Sequence, residues 1–390
     1  MMLSSAPNIP QMMKAIQASD YGDPEDVLSL QTNVPVPRLA DLSPKQQKTT
    51  MLLKVLAVSL APGDVRVLSG RTRELQGPPS MPYTPGGDVC GIVTELPPDS
   101  PFALGDRVAA RFVDGPRGAL GEYALVSTLV AAKVPDGMSS VDAAALVGAT
   151  PAMVLAESLL QQKKSLPAQQ RILVVGATGG VGSHLVQLLR NNPSNSSEVF
   201  VVGVSDTPSL LLEEPLQCHQ AIDYTKQDVY SLPEFQKDPF DTIVDLHGGG
   251  FLRLLSQEQK SIVKPASQGG LYLTITPDSP WYDVHNIWQG LQIFLFPGLW
   301  RALKSRTWAR RSLPRYTYKL AIPMDSNQVV TQTWEAVQEG RLRAVVANQG
   351  RPFGFTTEQV RQAFQLQASR HTKGKVVVEV ASDDPLQAKQ

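Results

Sequence analysis

Up to about residue 150, apolar residues come in short runs broken by proline and glycine: "MLLKVLAVSLAP", "GDVCGIVTELPP", "GDRVAARFVDG" and "GEYALVSTLVAAKVP". Runs of this length between such signals read as strands, and their close spacing predicts a compact antiparallel, barrel-like unit. Beyond that point the texture changes to "RILVVGA", the helical "GVGSHLVQLLRNN", "EVFVVGVS", a further helical stretch, then "QAIDY", "FDTIVDLHGG" and "GGLYLTIT". Strands alternating with helices predict an α/β unit, a doubly wound parallel sheet covered on both faces. From about Asp325 the spacing predicts two amphipathic helices, "NQVVTQTWEAVQEGRL" and "TTEQVRQAFQLQAS", and a final strand in "GKVVVEVA". The expected organisation is a tail over 1–12, a β-rich domain over 13–149, an inserted α/β domain over 150–324 and a return to the first domain over 325–390.

With 42% apolar and 18% charged residues the composition is that of a soluble globular protein, and 390 residues suggest two domains or one large one. Lys plus Arg and Asp plus Glu are both 36, so no electrostatic footprint for nucleic acid appears. The only cysteines, Cys90 and Cys218, form no CxxC pair and are too few for a four-cysteine zinc lobe. They fit a reducing compartment. The first residues show no apolar core behind a basic segment, and their one lysine makes poor material for a mitochondrial presequence. The longest apolar stretch, Gly290 to Trp300, is too short to span a bilayer and holds a proline. These features together predict a cytoplasmic protein.

The strongest motif is "ILVVGATGGVGSHLVQLL", where an apolar strand enters a glycine turn and then a helix with Val181, Leu185, Leu188 and Leu189 on one side. The pattern is A-x-G-x-x-G, with Ala177, Gly179 and Gly182; Gly176 stands just before it, and Thr178, Gly180 and Val181 complete the turn. Gly179 would let the backbone approach a pyrophosphate, Gly182 would let the helix pack close to the strand, and the helix N-terminus would offer N–H groups to the phosphates. A tight turn in a cofactor-free α/β domain is the bland alternative.

The end of the second α/β strand bears on the choice of dinucleotide, because an acid there binds the ribose 2′-hydroxyl and repels a 2′-phosphate. The strand is read to end at Val204, with Ser205 in that position and Asp206 following. No Lys or Arg appears before Lys226, so the usual basic partner of a 2′-phosphate is missing. Ser205 and Tyr224 offer hydroxyls instead, and NADP(H) is favoured over NAD(H).

The order "SLAPGDVRVLSG", "PGGDVCGIV", "GDRV", "GEY", "VPDGMS", "GATGGVG", "AIDY", "FDTIVD", "GGLYLTIT" and "HTKGKVVVEV" resembles the zinc-free medium-chain dehydrogenase/reductases. Within them it is most similar to quinone oxidoreductases and the mitochondrial reticulon-interacting oxidoreductases. The resemblance covers roughly Met13 to Val380. It implies a GroES-like β-rich catalytic domain, formed by the N-terminal part and the C-terminal return, around a Rossmann domain. It also implies that Ala61 and Gly87 stand where zinc-dependent relatives carry a cysteine and a histidine ligand. Neither residue can coordinate zinc, so alcohol oxidation is disfavoured. What remains is hydride transfer from NAD(P)H to a small electrophilic acceptor, a quinone or an α,β-unsaturated carbonyl.

The family's usual oxyanion donors are replaced here. Ala61 stands where quinone reductases have an asparagine, and Arg66 follows Asp64 where several relatives have a tyrosine. His247, in "VDLHGGG", replaces a valine that faces the nicotinamide ribose in the family; it is a donor to cofactor or substrate, or a structural histidine. Tyr83 is a candidate oxyanion donor or a surface-loop residue. Thr150 resembles the threonine near the nicotinamide, and Thr274, in "GGLYLTIT", is a further cofactor-binding candidate. Cys90 reads as a small apolar filler, and Asp88 as a residue holding its turn. The catalytic candidates are thus Asp64, Arg66, Tyr83 and His247, with no metal ligands.

An aromatic and basic insertion spans 281–319, with four of the five tryptophans. From Val284 to Met324 it carries seven Lys or Arg and no acid. It is read as an amphipathic helical segment packed on the Rossmann domain or at a dimer interface, or as a membrane-surface contact. A homodimer or a monomer fits the family. A protein that binds the dinucleotide with little turnover is the rival to a reductase.

Overall fold

In the computed structural model the described residues are 9–78, 80–111, 118–161, 170–192, 199–256, 261–279, 282–307, 312–318 and 326–383. Most of the expected N-terminal tail over 1–12 therefore lies outside them. The N-terminal strands are β1 (Met12–Ala18), β2 (Leu28–Pro35), β3 (Thr50–Leu60), β4 (Asp88–Glu95), β5 (Arg107–Arg111), β6 (Tyr123–Ser127) and β7 (Ala131–Lys133). Then come β8 (Gln170–Val175), β9 (Val199–Ser205), β10 (Gln220–Asp223), β11 (Thr242–Asp245), β12 (Leu271–Thr274) and β13 (Arg315–Tyr318). The tail adds β14 (Phe353–Gly354) and β15 (Val376–Glu379). The chain divides into two compact units: Met1–Thr150 with Asp325–Gln338 and Ala344–Gln390, and Pro151–Met324 with Glu339–Arg343.

The first unit holds a seven-stranded sheet in the order β14-β15-β3-β4-β5-β7, with β6 also on β3, beside a β1-β2 ribbon. All pairs are antiparallel except β14 with β15, so the expected barrel-like unit is a mixed sheet plus a ribbon. In β3 only Lys54 is exposed, and a strand covered on both faces reads as a near-continuous apolar run rather than an alternating one. Its Met51, Leu53, Val58 and Leu60 join Val89, Val93 and Phe364 in one core. The tail helix Thr357–Ser369 supplies Phe364 and starts at Thr356, whose hydroxyl accepts the Gln359 N–H.

The second unit is a six-stranded, all-parallel sheet in the order β10-β9-β8-β11-β12-β13. The chain runs outward from β8 to β10, then restarts beside β8 with β11 and runs outward the other way. Ligands of such sheets sit beyond the carboxyl ends of the strands at that reversal. The sixth strand, β13, lies inside the stretch read as helical. It is held there because Tyr316 stacks on Tyr272 with centroids 5.8 Å apart and meets Phe251 edge-on.

The helix after the glycine turn, Gly182–Arg190, was expected to bury one side. Instead Gly182 through Leu189 are all buried, Ser183, His184 and Gln187 included. Its polar side is covered by Glu339–Arg343. Gln187 donates to the Arg343 carbonyl at 3.1 Å and accepts the Arg343 N–H at 2.8 Å, and Asn191 donates to the Arg341 carbonyl at 3.1 Å. Those bonds explain why five tail residues belong to this unit while their neighbours belong to the other.

Candidate functional site

The glycine turn leaves β8 at the carboxyl edge. Gly176 has φ +80°, a left-handed conformation that favours glycine, and the conformational demand falls there rather than on Ala177. Ala177 is buried, with its N–H donating to the Val204 carbonyl at 3.2 Å, so alanine is tolerated where the fingerprint has its first glycine. A Cβ on Gly182 would stand 2.1 Å from the Gly176 oxygen and 2.8 Å from the Ala177 Cα, so close packing of helix on strand excludes any side chain. Gly179 differs: its N–H closes the turn onto the Gly176 oxygen at 3.1 Å, yet a Cβ would meet that oxygen at an ordinary 3.4 Å. The protein's own packing leaves room at Gly179, the position through which the fingerprint admits a pyrophosphate. No side chain caps the following helix at Val181, and the Ser183 N–H donates to the Gly179 carbonyl at 2.9 Å, so the helix turns the positive end of its dipole toward the glycine turn. The Gly180 carbonyl is bonded to the His184 ring nitrogen at 2.7 Å, which steadies the turn from below.

At the end of β9 the strand runs one residue further than expected and includes Ser205. Its hydroxyl lies 2.8 Å from the Thr178 hydroxyl, donates to Asp206 at 3.2 Å and accepts the Thr207 N–H at 3.0 Å. A hydroxyl has one proton and two lone pairs, so these three bonds saturate Ser205. It therefore ties the glycine turn to β9 and orients Asp206, with nothing left for a 2′-phosphate, and Thr178 is its buried partner. The exposed Tyr224 is bonded to Asp206, and burial with the nearby carboxylates raises its pKa. Lys226, the nearest cation in sequence, pairs with Asp223 at 3.1 Å.

Beyond β11 an acid the sequence reading passed over organises the edge. Asp245 is buried and accepts the N–H groups of His247 and Gly248 at 2.8 Å and of Gly250 at 3.1 Å, and also the Tyr272 hydroxyl. Burial, with Asp245 beside it, drives the Tyr272 pKa well up. The available signal was an acid ending an apolar strand directly before "LHGGG". Thr274 is buried and donates to the Asp245 carbonyl at 2.7 Å, so it braces this loop. His247 itself is exposed. A Cβ on Gly176 would lie 3.6 Å from the Leu246 Cβ and 4.0 Å from the His247 nitrogen, so glycine turn and histidine loop are neighbours. The structure thus gathers Gly176, Ala177, Thr178, Gly179, Gly180, Val181, Gly182, Ser205, Tyr224, His247 and Thr274 along one sheet edge.

The remaining candidates lie in the first unit. Asp64 is buried and accepts the Ala61 N–H at 2.7 Å, an acid in the first turn of the Pro62–Leu68 helix reaching back to its cap. Arg66 is half-buried in the last turn of that helix. Tyr83 belongs to the hydrophobic core rather than to a surface loop. Asp88, expected to hold its turn, is an ion-pair partner: Arg111 Nε donates to it at 3.2 Å and the Lys375 ammonium lies 3.9 Å away. Arg111 also donates to the buried Thr150 hydroxyl at 3.1 Å, and Lys375 to the Leu60 carbonyl at 3.2 Å. Burial lowers the Lys375 pKa, with Arg111 adding to that and Asp88 and Asp64 opposing it. Arg111 and Lys375 were not singled out in the sequence. Cys90, two residues along β4, is fully buried as a filler. The donor set here does not fit zinc: Ala61 and Gly87 offer no ligand atom, Asp88 is engaged with cations, and among the described residues no three His, Cys, Asp or Glu are grouped for a metal.

A mixed-sheet unit drawn from three chain segments and a six-stranded parallel sheet with a glycine turn at its reversal are the two kinds of domain found in dinucleotide-dependent dehydrogenases and reductases. Residues 47–136 match the alcohol dehydrogenase GroES-like domain, and 216–378 match the family described as zinc-binding dehydrogenase. The chain belongs to the medium-chain dehydrogenase/reductase superfamily and is quinone-oxidoreductase-like within it. It is 32% identical over 280 residues to the 2-methylene-furan-3-one reductase of Solanum lycopersicum, covering 70% of this chain and 64% of that protein. It is 28% identical over 378 residues to the chloroplastic NADPH-dependent alkenal/one oxidoreductase of Arabidopsis thaliana, covering 95% and 80%. The quinone oxidoreductase of Coxiella burnetii superposes with a TM-score of 0.67 at 23% identity, over 94% of this chain and 99% of that one.

Proposed function

We propose that the chain is an NADPH-dependent reductase that acts on a quinone or an α,β-unsaturated carbonyl without zinc. The observation that carries this reading is the Gly176–Gly182 turn, with room kept open at Gly179 in front of an uncapped helix N-terminus. The acceptor class is supported by similarity to proteins named as furanone and alkenal/one reductases, and the choice of NADPH by the second of these. When bound, NADPH would supply the hydride and leave as NADP+, and a proton from solvent would complete the reduction, at the α carbon of an enone or at oxygen in a quinone.

The chain's own residues divide the work. The turn binds the pyrophosphate through backbone N–H groups, Asp245 and Thr274 hold the loop that presents His247, and the exposed imidazole donates a hydrogen bond at the cofactor's reactive end. Asp206 is the feature that opposes a 2′-phosphate, and Tyr224 shares its charge.

A second reading, a dinucleotide-binding protein with little turnover, is favoured by one observation. Of the catalytic candidates, Asp64 caps a helix and Tyr83 lies in the core, which leaves His247 as the exposed one. The test is NADPH oxidation with a panel of quinones and enones beside an NADPH titration and a zinc assay. Oxidation of some acceptor by protein holding no stoichiometric zinc is expected. Tight NADPH binding with no oxidation across the panel would establish the second reading instead.

A further inference from the structure

The Ile287–Arg306 segment presents an apolar face to solvent. Two helices joined by a π-type turn, Ile287–Gly290, Leu291–Leu295 and Phe296–Arg306, run as one rod. Its inner side is pinned: Arg301 makes a two-pronged pair with Asp278 and lies over Phe251 and Tyr316, and Gly298 faces Tyr318. Its outer side carries Ile287 at 69% exposure, Trp288 at 66%, Phe296 at 46%, Leu299 at 58%, Trp300 at 64% and Leu303 at 57%. In the second helix these fall at successive spacings of three, one and three residues, a single helical stripe. So many large apolar side chains in one stripe mark an interaction surface.

Charge decides the occupant. The rod, 287–306, contains no acid; its Arg301 is taken up by Asp278, and exposed Lys304 and Arg306 close it. A two-fold interface would set this patch against a copy of itself and bring cation to cation with no acid to offset it. An anionic bilayer surface supplies both missing halves: phosphates for the cations, and a headgroup–acyl boundary where indole and phenyl rings settle. No single described helix is long and apolar enough to cross a membrane, which leaves a helix lying in the surface plane. We propose that the outer face of Ile287–Arg306 docks the protein on anionic lipid, independently of the hydride reading.

The experiment uses the full chain with vesicles of phosphatidylcholine, with and without phosphatidylglycerol. Binding read by co-sedimentation and by a blue shift of tryptophan emission is expected only on the phosphatidylglycerol vesicles. Lys304→Gln and Arg306→Gln should each weaken partitioning about fivefold, the worth of one cation at such a surface. Trp300→Glu should abolish it, with unchanged melting and NADPH affinity showing that the fold is intact. Wild-type protein that ignores the anionic vesicles, or variants that partition as the wild type does, would overturn the proposal. So would a dimer that Trp300→Glu splits in protein that never binds vesicles, which would assign the face to a second copy.

Discussion

The glycine turn of the second unit and the Pro85–Asp88 segment of the first are both tight, glycine-bearing and next to a buried strand, yet they have opposite contents. At Gly179 a Cβ would find only ordinary contact, 3.4 Å from the Gly176 oxygen. At Asp88 the carboxylate already faces Arg111 and Lys375, and a Cβ on neighbouring Gly148 would press on Lys375 at 2.7 Å and on Asp88 at 2.8 Å. One region is left open by its neighbours; the other is filled by the protein's own charges. Two similar-looking glycine segments therefore differ in what their partners in space do.

The largest effect should come from emptying the filled region. Asp88→Ala leaves two cations buried without a counter-charge and should destabilise the protein by roughly 3–5 kcal/mol, read by thermal or denaturant unfolding. The same change sharpens a pH dependence. The Lys375 pKa is already lowered in the fold, so the unfolded chain holds the extra proton between the folded value and the ordinary one, and stability falls as pH drops through that window. Without Asp88 the window extends downward, and below the ordinary lysine value the variant's melting temperature should rise more steeply with pH than the wild type's. An equal slope would show that Asp88 does not support that ammonium.

Filling the open region comes next. Gly179→Asp should weaken NADPH binding about a hundredfold or more, since a carboxylate beside the pyrophosphate costs several kcal/mol. Melting should stay near the wild-type value, because the new Cβ meets nothing closer than 3.4 Å. Retained binding in a titration would break the comparison by showing that the space has another use.

A smaller change is expected at the edge of the open region. Asp206→Asn should raise NADPH affinity relative to NADH by about three- to tenfold at low salt, with the gain shrinking as salt screens it. Indifference of the ratio would place Asp206 away from the ribose. The smallest effect is a null one at two buried cysteines, Cys90 next to the filled region and Cys218 in the second unit. Burial pushes the Cys90 and Cys218 thiols up to about 12, so both stay protonated well above neutral pH. Iodoacetamide at about pH 8 should leave both untouched in native protein and label both after unfolding, as mass spectrometry would record.

Much of this was legible in the chain. Alternation of apolar strands with helices foretold the parallel sheet, and the spacing of Ala177, Gly179 and Gly182 located the turn that opens at its edge. Both signals are local, carried by residues within one strand and one helix. Ser205 was read as a free hydroxyl because nothing in the sequence tells that Thr178, Asp206 and the Thr207 N–H will use all its bonds. The helical reading of 281–319 missed β13, whose place beside β12 depends on Tyr272, Tyr316 and Phe251 meeting across the sheet.

The sequence by itself determined the strand–turn–helix of the dinucleotide motif and the lack of ligand atoms at Ala61 and Gly87. Only the tertiary structure decided what became of the space beside them. Antiparallel register sets Val376 opposite Leu60 and Asp88 opposite Ser59, and so delivers Lys375 to Asp88 from the far end of the chain. Burial of that pair needs the whole sheet to be assembled, and no local pattern can announce it.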